Sequence, residues 1–170
     1  MEEVLFHEII KDPPTKYVFV QKKIKLDKNG QIKKDAVYYL TANLFYDGTH
    51  WAIKNKVVSF AKDWIIWHLK KVPKIEKCRI EITYHHPTDT FDLDNKVYFW
   101  IKIILDLLKT PTSAQIIKAQ EYNNPIKTLS VLDDDTVRFV DGIDMKYKRG
   151  ESAIELKIIG RHKQEQQSLF

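Results

Sequence analysis

Phe91-Asp92-Leu93-Asp94-Asn95 lies between two segments of different periodicity, and the change of period there decides the fold. Before it, Lys77 to His85 places Cys78, Ile80, Ile82 and Tyr84 at alternate positions, which predicts a half-buried strand. After it, the run from Lys96 to Lys109 carries Val97, Phe99, Trp100, Ile101, Ile103, Ile104, Leu105, Leu107 and Leu108. Apolar nearly all round, it predicts a buried helix, with a second subunit as one candidate cover. Asp92 and Asp94, two apart in an extended segment, share one side of the backbone. Asp94 or Asn95 is expected at the helix N-cap, where acidic groups meet the positive end of the helix. Asp133-Asp134-Asp135 follows about forty residues later. Brought beside the first pair, it would complete an all-oxygen cage suited to Mg²⁺ or Mn²⁺. Taken singly, the same residues also read as helix caps and a surface turn.

The remaining elements follow from punctuation and period. Residues 1–15 read as an irregular lead ending at Pro13-Pro14. Tyr17 starts a strand that runs to Leu26, turns at Asp27-Lys28-Asn29-Gly30 and returns from Gln31 to Tyr39. Lys22, Lys23, Lys25, Lys28, Lys33 and Lys34 decorate this hairpin. They read either as protection of an exposed edge or as a flap that meets phosphates. Thr41 to Thr49 is a polar loop, and Thr49 is expected to cap a helix from about His50 to Lys71. That helix keeps Ile53, Val57, Ala61, Trp64, Ile65 and His68 on one stripe and holds three of the four tryptophans, Trp51, Trp64 and Trp67. Aromatic residues at that spacing read as core or subunit interface. His85 and His86 are neighbours on a strand and face opposite ways, so they do not readily serve one metal. Thr110 to Asn124 reads as a linker with some helix potential, Asp141-Gly142 and Arg149-Gly150 as turns, and Ala153 to Ile159 as the last strand.

Length and composition bound the answer. A chain of 170 residues is long enough to bury a core without staples, and 44% apolar content with plain periodicity excludes a disordered chain. The formal charge of +5 is mild and suits an anionic partner without specifying one. One cysteine, Cys78, excludes an intramolecular disulfide and a cysteine-based zinc site, in keeping with a reducing compartment. The acidic opening Met1-Glu2-Glu3 is unlike a secretory leader and no apolar run reaches membrane length. The expectation is a soluble, cytoplasmic α/β (α+β) protein with a small mixed sheet and flanking helices.

The order of these motifs carries a resemblance. Asp92-Leu93-Asp94-Asn95, then Lys102-Ile103-Ile104-Leu105-Asp106-Leu107-Leu108, then Val131-Leu132-Asp133-Asp134-Asp135-Thr136-Val137, Lys146 and Lys148, and the strand Ala153 to Ile159 resemble the RusA family of Holliday-junction resolvases. Upstream, Leu40-Thr41-Ala42-Asn43 and His50-Trp51 before a basic helix are similar to that family's first strand and early helix. The resemblance covers roughly residues 36–160, leaving 1–35 as an amino-terminal extension and 161–170 as a tail. It implies a homodimer that binds four-way DNA junctions and cuts paired strands with Mg²⁺ or Mn²⁺, in DNA recombination and repair. The setting it implies is a bacterial or phage-encoded, nucleoid-associated endonuclease. By the same resemblance Asp92, Asp94 and Asp134 are the metal-binding carboxylates, with Asp133 beside them. Asn43, His50, Lys54 and Lys96 are the candidate DNA contacts. The family's lysine, four residues after the second aspartate, is replaced by Tyr98, which leaves Lys102 or Lys96 for its role. Alternative readings are a junction-binding module that has lost cleavage, or a related metal nuclease acting on flaps or duplex.

The chain closes on Gln166-Gln167-Ser168-Leu169-Phe170. This resembles the pentapeptide by which bacterial DNA-processing proteins dock on the sliding clamp, with Leu169 and Phe170 entering an apolar groove and Gln166 fixing register. A disordered end, or one folded back on its own domain, is the alternative.

Overall fold

The computed structural model describes residues 2–20, 28–29, 35–88, 92–123 and 125–163. In chain order the elements are β1 (Glu3–Lys11), β2 (Lys16–Phe19), β3 (Ala36–Tyr39), α1 (Asn43–Tyr46), α2 (Trp51–Leu69) and β4 (Ile75–His86). They continue with α3 (Leu93–Leu108), α4 (Ser113–Glu121), β5 (Val140–Arg149) and β6 (Ala153–His162). The fold is mixed α+β: a four-stranded sheet of order β1-β6-β4-β5 with flanking helices, and a two-stranded β2-β3 ribbon.

β4 forms because its apolar residues alternate. Ile75, Cys78, Ile80, Ile82 and Tyr84 are buried, while the residues between them keep solvent contact. Burial pushes the Cys78 thiol up to about 11, with Asp141 adding to the rise, so this cysteine packs as a small apolar side chain. β6 pairs with β4 antiparallel and β5 pairs with it parallel. β5 and β6 therefore flank β4 although only residues 150–152 connect them. That link passes over the end of β4, where the Gly150 amide donates to the His86 carbonyl (3.1 Å). On the exposed side of the sheet, Glu155 of β6 takes hydrogen bonds from His7 of β1 (2.9 Å) and His85 of β4 (3.1 Å). Burial opposes ionisation of Glu155, but these bonds and Lys157 outweigh it and hold the carboxyl below the usual glutamate range.

α3 is buried by its own chain. Val97, Phe99, Trp100, Ile101, Ile103, Ile104, Leu107 and Leu108 are all inside the core, so no second subunit is needed to cover them. Trp64 of α2 meets Trp100 at a centroid distance of 5.2 Å, and Phe45 of α1 stacks on Phe99 at 5.6 Å. At about 1.5–3 kcal/mol for each large apolar side chain fully buried, this helix is a major share of the hydrophobic driving force.

Several expectations are corrected. Residues 3–11 are strand β1, hydrogen-bonded along β6, so this part of the amino-terminal extension is built into the main sheet. The polar loop after Thr41 contains one helical turn, α1. α2 is capped by His50, whose Nδ1 accepts from the Ala52 amide (3.3 Å), while the Thr49 amide donates to Asp47 (2.9 Å). Asp92, rather than Asp94 or Asn95, caps α3. Thr110 to Asn124 contains α4, closed by a capping box between Thr112 and Gln115. Asp141-Gly142 lies inside β5 instead of turning. The β2-β3 pairing agrees with the expected hairpin. The strands proposed over 21–27 and 30–34 fall outside the described residues, apart from Lys28 and Asn29 at the turn. Among the described residues no helix is long and apolar enough to cross a membrane.

Gly160 is where β6 comes closest to β4. A Cβ built there would stand 2.1 Å from the Lys77 carbonyl oxygen and 2.8 Å from the Cys78 Cα, both backbone atoms that cannot swing aside. Gly160→Ala is therefore expected to lower unfolding free energy in urea by about 3 kcal/mol. Gly142→Ala on β5, where the nearest atom is a flexible Arg79 side chain at 3.8 Å, should stay within about 0.5 kcal/mol of the parent.

Candidate functional site

The amino-terminal end of α3 presents two exposed carboxylates held by one asparagine. The Asn95 amide donates to Asp92 Oδ1 (3.4 Å) and Asp94 Oδ1 (2.9 Å), and Asn95 Nδ2 donates to Asp92 Oδ2 (3.2 Å). Asn95 also anchors the neighbouring turn: its Oδ1 accepts from the Asn43 amide (3.1 Å) and its carbonyl from the Ala42 amide (2.8 Å). A hydrogen bond with Asp94, together with those from Asn95, keeps the Asp92 carboxyl below the usual aspartate range. Among the described residues neither Asp92 nor Asp94 has a cationic partner, although Asp47, Asp106, Asp133 and Asp135 all do. The helix N-terminus supplies part of the balancing charge.

Along the same helix, Tyr98 occupies the place one turn beyond Asp94 and lies 3.5 Å from the Tyr46 hydroxyl of α1. The hydrogen bond with Tyr98 pushes the Tyr46 hydroxyl up, against the pull of Lys102. Lys102 stands 5.7 Å from the Phe45 ring centroid, eight residues and about 12 Å of helix rise from Asp94. It shares the exposed side of α3 with Tyr98 but does not join the carboxylate pair. Burial lowers the Lys96 ammonium. The remaining candidate contacts have structural work: His50 caps α2, Lys54 donates to the Phe45 carbonyl (3.0 Å), and Asn43 is the first residue of α1.

The second acidic cluster sits elsewhere. The Val131 and Leu132 amides donate to the Leu108 carbonyl at the far end of α3, and Leu132 bridges to Lys109. Asp133 takes both its hydrogen bonds from Lys163 (2.8 Å each), and Asp135 takes one from Lys109 (3.0 Å), which also meets Asp106 (3.2 Å). Lys62 of α2 extends this chain to Asp106 at 3.7 Å, with burial lowering its ammonium. Asp134 accepts only from the Asp135 amide (2.8 Å) and has no cationic partner among the described residues. Lys62, Lys109 and Lys163 were missed from the sequence. Only Lys109, three residues after Asp106 on a helix, carried a local signal.

Within the chain the two clusters do not meet. They lie toward opposite ends of α3, whose 16 residues rise by about 24 Å.

Comparison with family models, curated proteins and solved structures gives no match.

The chemistry of the site therefore rests on its geometry alone. Among the described residues no three His, Cys, Asp or Glu side chains gather in a form able to hold a metal ion. Mg²⁺, however, commonly takes one or two carboxylates, several waters and substrate phosphates, and Asp92 with Asp94 fits that donor set as a pair. His85 is engaged with Glu155, and His86 Nδ1 accepts from the Thr88 amide (3.2 Å), so neither histidine joins them. Gln166, Leu169 and Phe170 lie outside the described residues.

The Asp135 ion pair gives this region a pH signature. Burial resists its ionisation, but Lys109 and the neighbouring Asp134 prevail and hold the carboxyl below its ordinary range. A carboxyl depressed on folding adds stability above its unfolded pKa, and that contribution disappears as pH falls through the folded value. Asp135→Asn should thus be less stable than the parent at pH 7, and the difference should close as pH falls below the ordinary aspartate range and through the lowered folded value, as read by chemical unfolding across pH.

Proposed function

We propose that this chain is a divalent-metal-dependent endodeoxyribonuclease of RusA type that resolves four-way junctions. The observation that carries the reading is the exposed Asp92–Asp94 pair, tied by Asn95 and without a cationic partner among the described residues. Asp92 and Asp94 would hold Mg²⁺ or Mn²⁺, which supplies charge to the scissile phosphate and acidifies a bound water. Asn95 keeps the two carboxylates in register and ties them to α1. Lys102, one further turn beyond Tyr98, would meet the DNA backbone as a point charge.

Asp134 is the member of the second cluster without a cation, which supports it over Asp133 and Asp135 as the functional aspartate. Since α3 separates it from Asp92 and Asp94, a site using all three forms between two copies of the chain. The pair of one protomer would then face Asp134 of the other. A two-fold homodimer makes two such sites, as paired incision requires. The reading includes recruitment by a sliding clamp through Gln166, Leu169 and Phe170.

A second reading, a junction-binding module without cleavage, is favoured by Tyr98 standing where the family places lysine. Competition among junction, flap and linear duplex separates either from a nuclease of other specificity.

Asp94→Asn and Asp134→Asn should each lower junction cleavage in Mg²⁺ at least about a hundredfold while keeping junction binding in EDTA. Mixing the two variants is the sharper measurement. In a dimer with shared sites one site receives both substitutions and the other none, so nicking returns. Sites contained in one protomer would stay dead. Junction binding should also weaken steeply between 50 and 200 mM salt, roughly ten- to a thousandfold for a few phosphate contacts, and a flat response would remove DNA as the partner.

A further inference from the structure

α4 stands apart from the core. None of its residues is buried, and between it and the start of α2 lies an open cleft of about 700 Å³. Trp51, the first residue of α2, lines it together with Tyr122, just past the end of α4. Both rings are unusually open, 69% and 78% exposed. Gln115, Lys118 and Asn123 add polar groups and Ile126 adds an apolar one.

Three features say what this cleft takes. No carboxylate lines it, and Lys118 has no acidic partner among the described residues, so its charge favours an anion. Two exposed aromatic rings in one cleft offer π faces that any nucleobase can use. Asn123 offers a donor and an acceptor, and Gln115, whose Oε1 takes the Thr112 amide in the capping box, leaves its side-chain NH2 as a further donor for a base edge. The cleft is also preformed. Lys127, next to the lining residue Ile126, donates to Ser59 (2.8 Å) and Asp63 (2.6 Å) of α2, and Thr128 donates to the Leu107 carbonyl (2.9 Å) of α3. The volume matches an ordinary ligand site and exceeds what one base fills, leaving room for its sugar and phosphate.

We propose that this cleft is a binding site for an unpaired nucleotide, with its base stacked on Trp51 or Tyr122 and its phosphate near Lys118. Trp51 is linked to the carboxylate pair through one short route. Lys54, one turn further along α2, holds the α1 carbonyl of Phe45, and α1 is held in turn by Asn95. The inference deepens the nuclease reading by giving the protein a grip on single strands. It requires that the chain meets nucleic acid but not that it cuts it.

The test uses the full chain in EDTA with fluorescein-labelled dT12, rU12 and a 12-base-pair duplex, read by anisotropy and by quenching of tryptophan emission. Trp51→Ala, Tyr122→Ala and Lys118→Gln are each expected to weaken dT12 binding about tenfold, with Trp51→Phe largely restoring it and duplex binding unchanged. Unchanged thermal unfolding of the variants shows that the fold is kept, as expected for exposed positions. Tighter rU12 than dT12 binding in the parent, lost in the same variants, would keep the site and assign it to RNA. If dT12 and rU12 both bind the variants like the parent, or if single strand and duplex weaken together, the proposal is overturned. Because no cleavage is read, that result would leave the aspartate proposal standing, and dead aspartates would leave this one standing.

Discussion

Packing of α3 against the sheet and α2 is the constraint on which the remaining geometry depends. Eight apolar side chains leave this helix no freedom to rotate or slide, because interiors are close-packed and even small shifts open voids. Its two ends are thereby fixed as rigid platforms. One presents Asp92 and Asp94 through Asn95, and the other receives the Thr128 to Leu132 segment through the carbonyls of Leu107 and Leu108. The distance between the acidic clusters is thus a property of the core and not of flexible loops.

The two ends are also electrically different. At the first, the carboxylates face a helix N-terminus and solvent; at the second, Lys62, Asp106, Lys109 and Asp135 alternate in sign. An ion-paired carboxylate is already satisfied and binds a further cation less readily. The same triplet that reads as one acidic run in the sequence is therefore divided by its surroundings, with Asp134 bonded to the Asp135 amide but lacking a cationic partner among the described residues.

Much of the fold is legible in the sequence wherever one face of an element is buried. β4, α2, α3 and β6 follow their apolar period closely. β1 was hidden because Ile9 and Ile10 are adjacent and a register shift between Val4 and Phe6 breaks its alternation. β5 was hidden because it is an edge strand: only Val140 is buried, and Asp141-Gly142 imitates a turn. α4 buries nothing and so carries no stripe to find. At the candidate site, the Asp92–Asp94–Asn95 grouping could be read locally because its bonds span three residues. The separation of Asp134 from that pair, and the lysines around it, are tertiary facts that no spacing encodes.

The strand order has a consequence for how the chain comes to be folded. β1 lies beside β6, so Glu3 is registered with Gly160 and Lys11 with Ala153. β4 gains neither flanking strand until residues beyond 140 are available, since both β5 and β6 lie after it. A sheet closed by its first and last strands has high contact order, and loop closure over such lengths slows the search for the native state. During synthesis β4 therefore stays without either strand neighbour while the rest of the chain emerges. The lysines spread along this chain are well placed to keep that waiting state in solution.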